Sequence, residues 1–209
     1  MPNYVANILT LAGSEERIAK VVEFVKGEDS PFDFGKIVPQ PETYKKYDTT
    51  NHPDGRGLEV GQPVNPFKKD SPIVTKELIA EYKQATAEQA RKYGVVGWYD
   101  WNVRYWGTKW DAMDVTYEGG AFFFDTAWSA PLPVIRRLAE MFPDILFVLT
   151  YADEDYGYNC ARYTFKGKQR DCFAPAGGSD EAMELYFETH PDSRDEMHKD
   201  ENGDWVWND

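Results

Sequence analysis

Cysteine is nearly missing from these 209 residues, with only Cys160 and Cys172 present. Two thiols cannot build the disulfide framework of a small secreted domain, and their spacing does not suit a zinc ribbon. They read as reduced, buried side chains. Histidine is scarce too: His52, His190 and His198 stand at no diagnostic distance from a Cys or Ser. Long apolar runs are lacking. No stretch approaches the roughly 20 residues that a membrane helix needs, and no basic start leads into an apolar segment as in a secretory signal. A cytoplasmic protein without membrane contact is expected.

Positive charge is also short, with 23 Lys and Arg against 36 Asp and Glu, a net charge of −13. The deficit is concentrated. Residues 176–209 carry eleven acids, among them Glu184 and Glu188, against Arg194 and Lys199 alone, so this stretch holds −9 of the total. The preceding 175 residues are nearly balanced, with 25 acids and 21 bases. A duplex or a lipid surface is itself negative and repels such a segment, so direct nucleic-acid binding through it is not expected and its partner should be basic. A disordered solubilising tail is the other reading of the same composition. Trp205 and Trp207, near the end, point to a terminus that docks on something.

With 42% hydrophobic residues, the chain can bury one core. Residues 3–12 alternate as a strand, and Ser14 with Glu15 and Glu16 opens a helix carrying Ile18, Val21, Val22 and Val25 on one face. Phe32–Val38 reads as extended and is stopped by Pro39 and Pro41. Residues 42–70 form a polar surface excursion, followed by helices over 75–93 and 97–107. Strands at 114–118 and 121–128 meet at Gly119-Gly120, a dipeptide suited to tight hairpins. A helix from Pro131 to Pro143, a buried strand over 145–151 and further strands over 158–165 and 169–173 complete the order. This is the split βαβ order of an α+β ferredoxin-like sandwich, with one face of the sheet covered by two helices, a helical, Trp-rich insertion at about 42–110 and an acidic C-terminal extension at 176–209.

Four of the seven tryptophans fall between Trp98 and Trp110. On a helix, Trp98, Trp101 and Tyr105 share a face, and Asp100 can pair with Arg104. Trp98, Trp101, Trp106 and Trp110 either plug the gap between the insertion and the sheet or, with Arg104 and Lys109, offer a stacking platform. Two cations are too few for a nucleic-acid footprint.

Phe32, Phe34, Ile37, Pro39 and Pro41, followed by the run Trp106-Gly107-Thr108-Lys109-Trp110, resemble the YubB-type family of small ferredoxin-like phage and plasmid proteins over residues 3 to 170. The resemblance implies the fold and a home on mobile elements inside a bacterial host cell. It implies no catalytic residues.

Enzyme signatures are sparse. The Gly-rich run from Asp54 to Gly61 lacks the spacing of a phosphate-binding loop, and no cofactor is expected. Asp153, Glu154 and Asp155 follow the 145–151 strand and could supply oxygen ligands to a divalent cation, but acid-rich strand ends are common and no metal is assigned. Cys160 has no base beside it in sequence. The resulting expectation is a non-enzymatic binding or inhibitor protein that occupies a basic, nucleic-acid-binding surface of a host protein, as an anti-CRISPR or anti-restriction factor would. The alternative is a metal-dependent nuclease or RNA-binding protein using the Trp-rich face with Asp100, Asp111, Asp114 and the Asp153 cluster.

Overall fold

Alternation along Tyr4–Ala12 sends Val5, Asn7, Leu9 and Leu11 to one face of strand β1, and all four are buried. In the computed structural model, which describes residues 3–42, 58–67 and 69–208, this strand is central. β2 (Met113–Glu118), β3 (Ala121–Ala127), β4 (Leu146–Asp153), β5 (Ala161–Lys166) and β6 (Gln169–Phe173) join it in a sheet ordered β2-β3-β1-β4-β5-β6, every pairing antiparallel. The first four strands form the ferredoxin-like core, in which β3 lies between β1 and β2 and β1 lies between β3 and β4. Gly119 and Gly120, at φ of 58° and 83°, make the expected tight turn between β2 and β3.

Two helices cover the Val5 face. α1 (Glu15–Val25) buries Val21 and Val25; α5 (Leu132–Met141) buries Val134, Ile135, Leu138 and Ala139. Between α1 and the insertion, Phe32–Val38 is not extended as its sequence suggested. Asp33 accepts the Gly35 N–H at 2.6 Å and starts a one-turn helix, α2 (Phe34–Ile37). That turn aims Phe32 and Phe34, both fully buried, at the sheet: Phe32 stacks on Phe122 at 5.0 Å and meets Phe124 edge-on at 5.2 Å. Each such ring contributes about 1.5–3 kcal/mol by burial.

The chain divides into two compact units, Met1–Val38 with Trp106–Asp209, and Pro39–Tyr105. The second contains α3 (Lys76–Tyr93), opened by the Thr75 hydroxyl on the Leu78 N–H and closed by Gly94 at φ 72°, and α4 (Trp98–Tyr105). Most of the polar excursion before α3, with His52 and the start of the Gly-rich run, lies outside the described residues.

The acidic C-terminal stretch is folded, not a disordered tail. Ser179 caps α6 (Asp180–Thr189), which lies over the sheet face opposite α1 and α5 and buries Ala182, Met183, Leu185, Tyr186 and Phe187 around Ala152. A turn, α7 (Ser193–Glu196), leads into a hairpin of β7 (Met197–Lys199) and β8 (Trp205–Trp207). The sheet therefore carries helices on both faces rather than one. High charge hid the apolar face of α6, because its acids alternate with the residues that face inward.

The Trp-Gly-Thr-Lys-Trp motif has a structural explanation within the first unit. The Trp106 indole N–H donates to the Val38 carbonyl at 2.9 Å, and its ring meets Phe34 edge-on at 5.9 Å. Gly107 sits at φ 84°, where a Cβ would lie 2.6 Å from Pro133 Cδ. The buried Thr108 hydroxyl donates to the Ala127 carbonyl at 2.8 Å and accepts the Ala127 N–H at 3.1 Å, closing the end of β3 as a neighbouring strand would. Thr108→Val keeps the shape and leaves both backbone groups without that partner. It should cost about 1–3 kcal/mol, read as a lower urea midpoint with an unchanged slope.

Candidate functional site

The thirteen-residue Trp-rich segment spans the border of the two compact units: Trp98 to Tyr105 belong to Pro39–Tyr105, and Trp106 to Trp110 to the unit that holds the sheet. Within Pro39–Tyr105, Trp101 is buried, stacks on Tyr105 at 5.0 Å and meets Tyr93 edge-on at 6.4 Å, while the Tyr105 hydroxyl donates to the Tyr93 carbonyl. Trp98 is half-buried against Tyr99. Arg104 lies 5.8 Å from the Tyr105 ring and, among the described residues, forms no ion pair with Asp100. In the unit that holds the sheet, Trp106 is buried in the core. Lys109 stands 4.3 Å from the Trp110 ring centroid and 5.0 Å from that of Trp128, a cation between two indoles. Trp128 was not singled out from the sequence. Its φ of 69° turns it away from the end of β3, leaving it 43% exposed.

The acids separate into structural and free groups. Asp153 is buried, accepting the Asp155 N–H at 2.9 Å and the Asn159 amide at 2.6 Å, so it braces the turn after β4. Glu154 accepts the Tyr4 N–H at 3.0 Å. Glu184 pairs with Arg194, and Glu188 with Arg162. Asp111 accepts the N–H groups of Phe34 and Ala112, and burial pushes its carboxyl up to about 6 despite those bonds. Among the described residues no three His, Cys, Asp or Glu side chains gather to hold a metal ion. His190 stacks on Tyr186 at 4.4 Å, its pKa lowered by burial; His198 contacts Asn208. Burial raises the pKa of the Cys160 thiol, whereas Cys172 is exposed rather than buried. Asp125, within the apolar strand β3, is half-buried and raised by that burial and by Asp114.

The turn after β4 and the C-terminal hairpin border an open cavity of about 570 Å³, lined by Asp155, Tyr156, Tyr158, Met183, Asp204 and Trp205, of which Asp155, Tyr158 and Asp204 are exposed. The Trp205 indole N–H donates to Asp180 at 3.2 Å and the ring meets Phe187 edge-on at 5.0 Å, so this indole docks on its own chain. Trp207 touches Tyr156 edge-on at 6.2 Å and stays 43% exposed. Elsewhere on the C-terminal elements, Glu181, Asp192, Asp195 and Glu196 are exposed and make no ion pair among the described residues. Sequence reading missed Tyr156, Tyr158 and Asp204. The only local signal was the run Asp155-Tyr156-Gly157-Tyr158, two rings about a glycine.

Asp111 yields a pH prediction. Its folded-state value of about 6 exceeds the ordinary 3.8, so the folded protein binds the extra proton and loses stability as the pH rises through that window. Asp111→Asn keeps the acceptor and removes the charge. Its stability relative to the parent should improve by up to about 2 kcal/mol between pH 4 and pH 7, measured by urea unfolding at both; a constant difference would refute the assignment.

Comparison with known proteins supplies the family context. Residues 105–195 match the family model described as a ferredoxin-like domain in Api92-like protein. No curated protein matches the chain. A crystal structure of a protein api92 from Yersinia pseudotuberculosis aligns with 86% of this chain and 100% of that chain, at 10% identity and a TM-score of 0.45. The match carries the Api92-like description and not the YubB-type name that the motifs suggested. From β2 through the turn after α6, this chain is thus similar to the ferredoxin-like domain of Api92-like proteins.

Proposed function

We propose that the chain is a non-enzymatic binding protein of a phage or plasmid, whose C-terminal lobe occupies a basic, nucleic-acid-binding surface of a bacterial host protein, in the manner of an anti-CRISPR or anti-restriction factor. One observation carries the reading. Residues 180–207 fold onto the sheet and hold their unpaired carboxylates at fixed positions, so their charge is presented without the ordering cost of a flexible tail. Carboxylates on a rigid surface can stand where backbone phosphates would, and opposite charges speed encounter in a salt-dependent way. YubB-type kinship, the mobile-element home and the host cytoplasm belong to this proposal. A second reading, direct handling of nucleic acid, draws on Lys109 between Trp110 and Trp128.

The test compares the parent with the variant Glu181→Gln, Asp192→Asn, Asp195→Asn, Glu196→Gln in pull-downs from a bacterial lysate. The reading expects a partner held at about 50 mM salt, released near 500 mM, displaced by added nucleic acid and lost by the variant. Capture indifferent to salt and to the four substitutions contradicts it. Direct binding of single-stranded RNA or DNA by the parent, abolished by Lys109→Ala, would favour the second reading.

A further inference from the structure

We infer that the cavity between the Asp155–Tyr158 turn and the β7–β8 hairpin receives a cationic side chain, a lysine ammonium or an arginine guanidinium, from a basic protein partner. This rests on the reading of the lobe as a docking surface and adds the chemistry of its central contact.

Three aromatic rings, Tyr156, Tyr158 and Trp205, and two carboxylates, Asp155 and Asp204, meet at this cavity, and none of its described lining residues is basic. Ring faces and carboxylates present the same sign of potential. An anion is repelled there, and a neutral apolar group leaves two charges without a counterpart. Neither carboxylate makes a hydrogen bond or ion pair among the described residues: Asp155 and Asp204 enter the turns through backbone groups, the Asp155 carbonyl accepting the Tyr158 N–H and the Asp204 N–H donating to Asp200. A hard metal ion would need six or more oxygen ligands, which a wall of rings does not supply. An organic cation on a methylene shaft satisfies both the rings and the charges, with the Met183 thioether against the shaft.

The rest of the lobe already treats its own cations this way. Arg194 lies 4.6 Å from the Phe187 ring centroid and pairs with Glu184; Lys199 lies 5.5 Å from that of Trp205 and pairs with Asp180 at 2.6 Å. Each internal cation has one ring and one carboxylate. Tyr156 and Tyr158 with Asp155 and Asp204 repeat that combination with no basic residue in the cavity's described lining, while the third ring, Trp205, already has Lys199 against it.

Its walls are built in advance. The Tyr158 ring lies so close over Gly177 that a Cβ there would sit 2.6 Å from it, and the Gly178 N–H donates to the Gly157 carbonyl at 2.8 Å, tying the two loops together. Gly157, at φ 75°, lets the turn pass over Met183, where a Cβ would be 2.8 Å from the sulfur. A ligand entering such a site spends little on ordering it.

The test is an NMR titration of the full ¹⁵N-labelled chain with three probes: N-acetyl-lysine methylamide, N-acetyl-arginine methylamide and the neutral N-acetyl-norleucine methylamide. Saturable shifts of the Tyr156, Tyr158, Gly178 and Trp205 signals are expected with one or both cationic probes, at dissociation constants on the order of 1–10 mM, and at least about fivefold weaker with the neutral one. The double variant Asp155→Asn, Asp204→Asn should retain its dispersed spectrum and lose that preference, and the stronger cationic probe identifies which side chain the site takes. No shift with any probe, equal response to all three, or an unchanged preference in the double variant overturns the inference. These arms are independent of any partner, so loss of salt-sensitive capture while the shifts persist would reject the docking reading and leave the cation site standing.

Discussion

The packing of the inner face of α6 on the sheet is the contact from which the C-terminal lobe of the molecule follows. A segment with a net charge of −9 in 34 residues would stay extended if solvation of its acids prevailed. It folds because Met183, Leu185, Tyr186 and Phe187 meet Ala152 on a face of the sheet that α1 and α5 leave uncovered. Burial of each large side chain contributes about 1.5–3 kcal/mol, whereas separated surface carboxylates are screened by salt and repel weakly. Once α6 is seated, Phe187 receives Trp205, the hairpin is positioned and the cavity forms beside it. Asp180 serves the helix and the hairpin together, accepting from the Trp205 indole and pairing with Lys199, both of which hold its pKa below the usual carboxylate range.

The Trp-rich run shows how a compositional signal can divide. Its density reads as either a plug beneath the insertion or a stacking platform; the border between the two compact units passes between Tyr105 and Trp106. On one side Trp101 completes a cluster with Tyr93 and Tyr105. On the other, Trp106, Gly107 and Thr108 are consumed in closing β3 and fastening Val38, with Phe32 and Phe34 as the rings they enclose. Phe32 and Phe34 of one motif and Trp106 to Thr108 of the other, distant in sequence, therefore pack in one core. Lys109 with Trp110 and Trp128 is what the motif leaves at the surface.

How far the sequence was legible follows from which forces act locally. Strand alternation in β1, the diglycine turn between β2 and β3 and the apolar stripe of α5 depend on near neighbours, and each appeared where the pattern placed it. The ferredoxin-like order followed from them. Phe32–Val38 reads in sequence as an extended piece ended by Pro39 and Pro41, while the Asp33 side chain caps a single helical turn there. The covering of the second sheet face was hidden because it joins a charged helix to β4, with β5 and β6 between them in the chain. The cavity was least visible of all: Asp155 and Tyr158 come from one turn and Asp204 from another far along the chain, and Gly177 acts only by what it lacks, a Cβ under the Tyr158 ring.

Native-state amide exchange over Leu185–Phe187 tests the central contact most directly, because the amides of a helix seated on the sheet open only with the structure that covers them. The account predicts protection at those amides close to that of β1 and β4, at low and high salt alike. Exchange at the rate of an unstructured chain, with β1 and β4 still protected, would contradict it and return the C-terminal segment to a solvated polyanion.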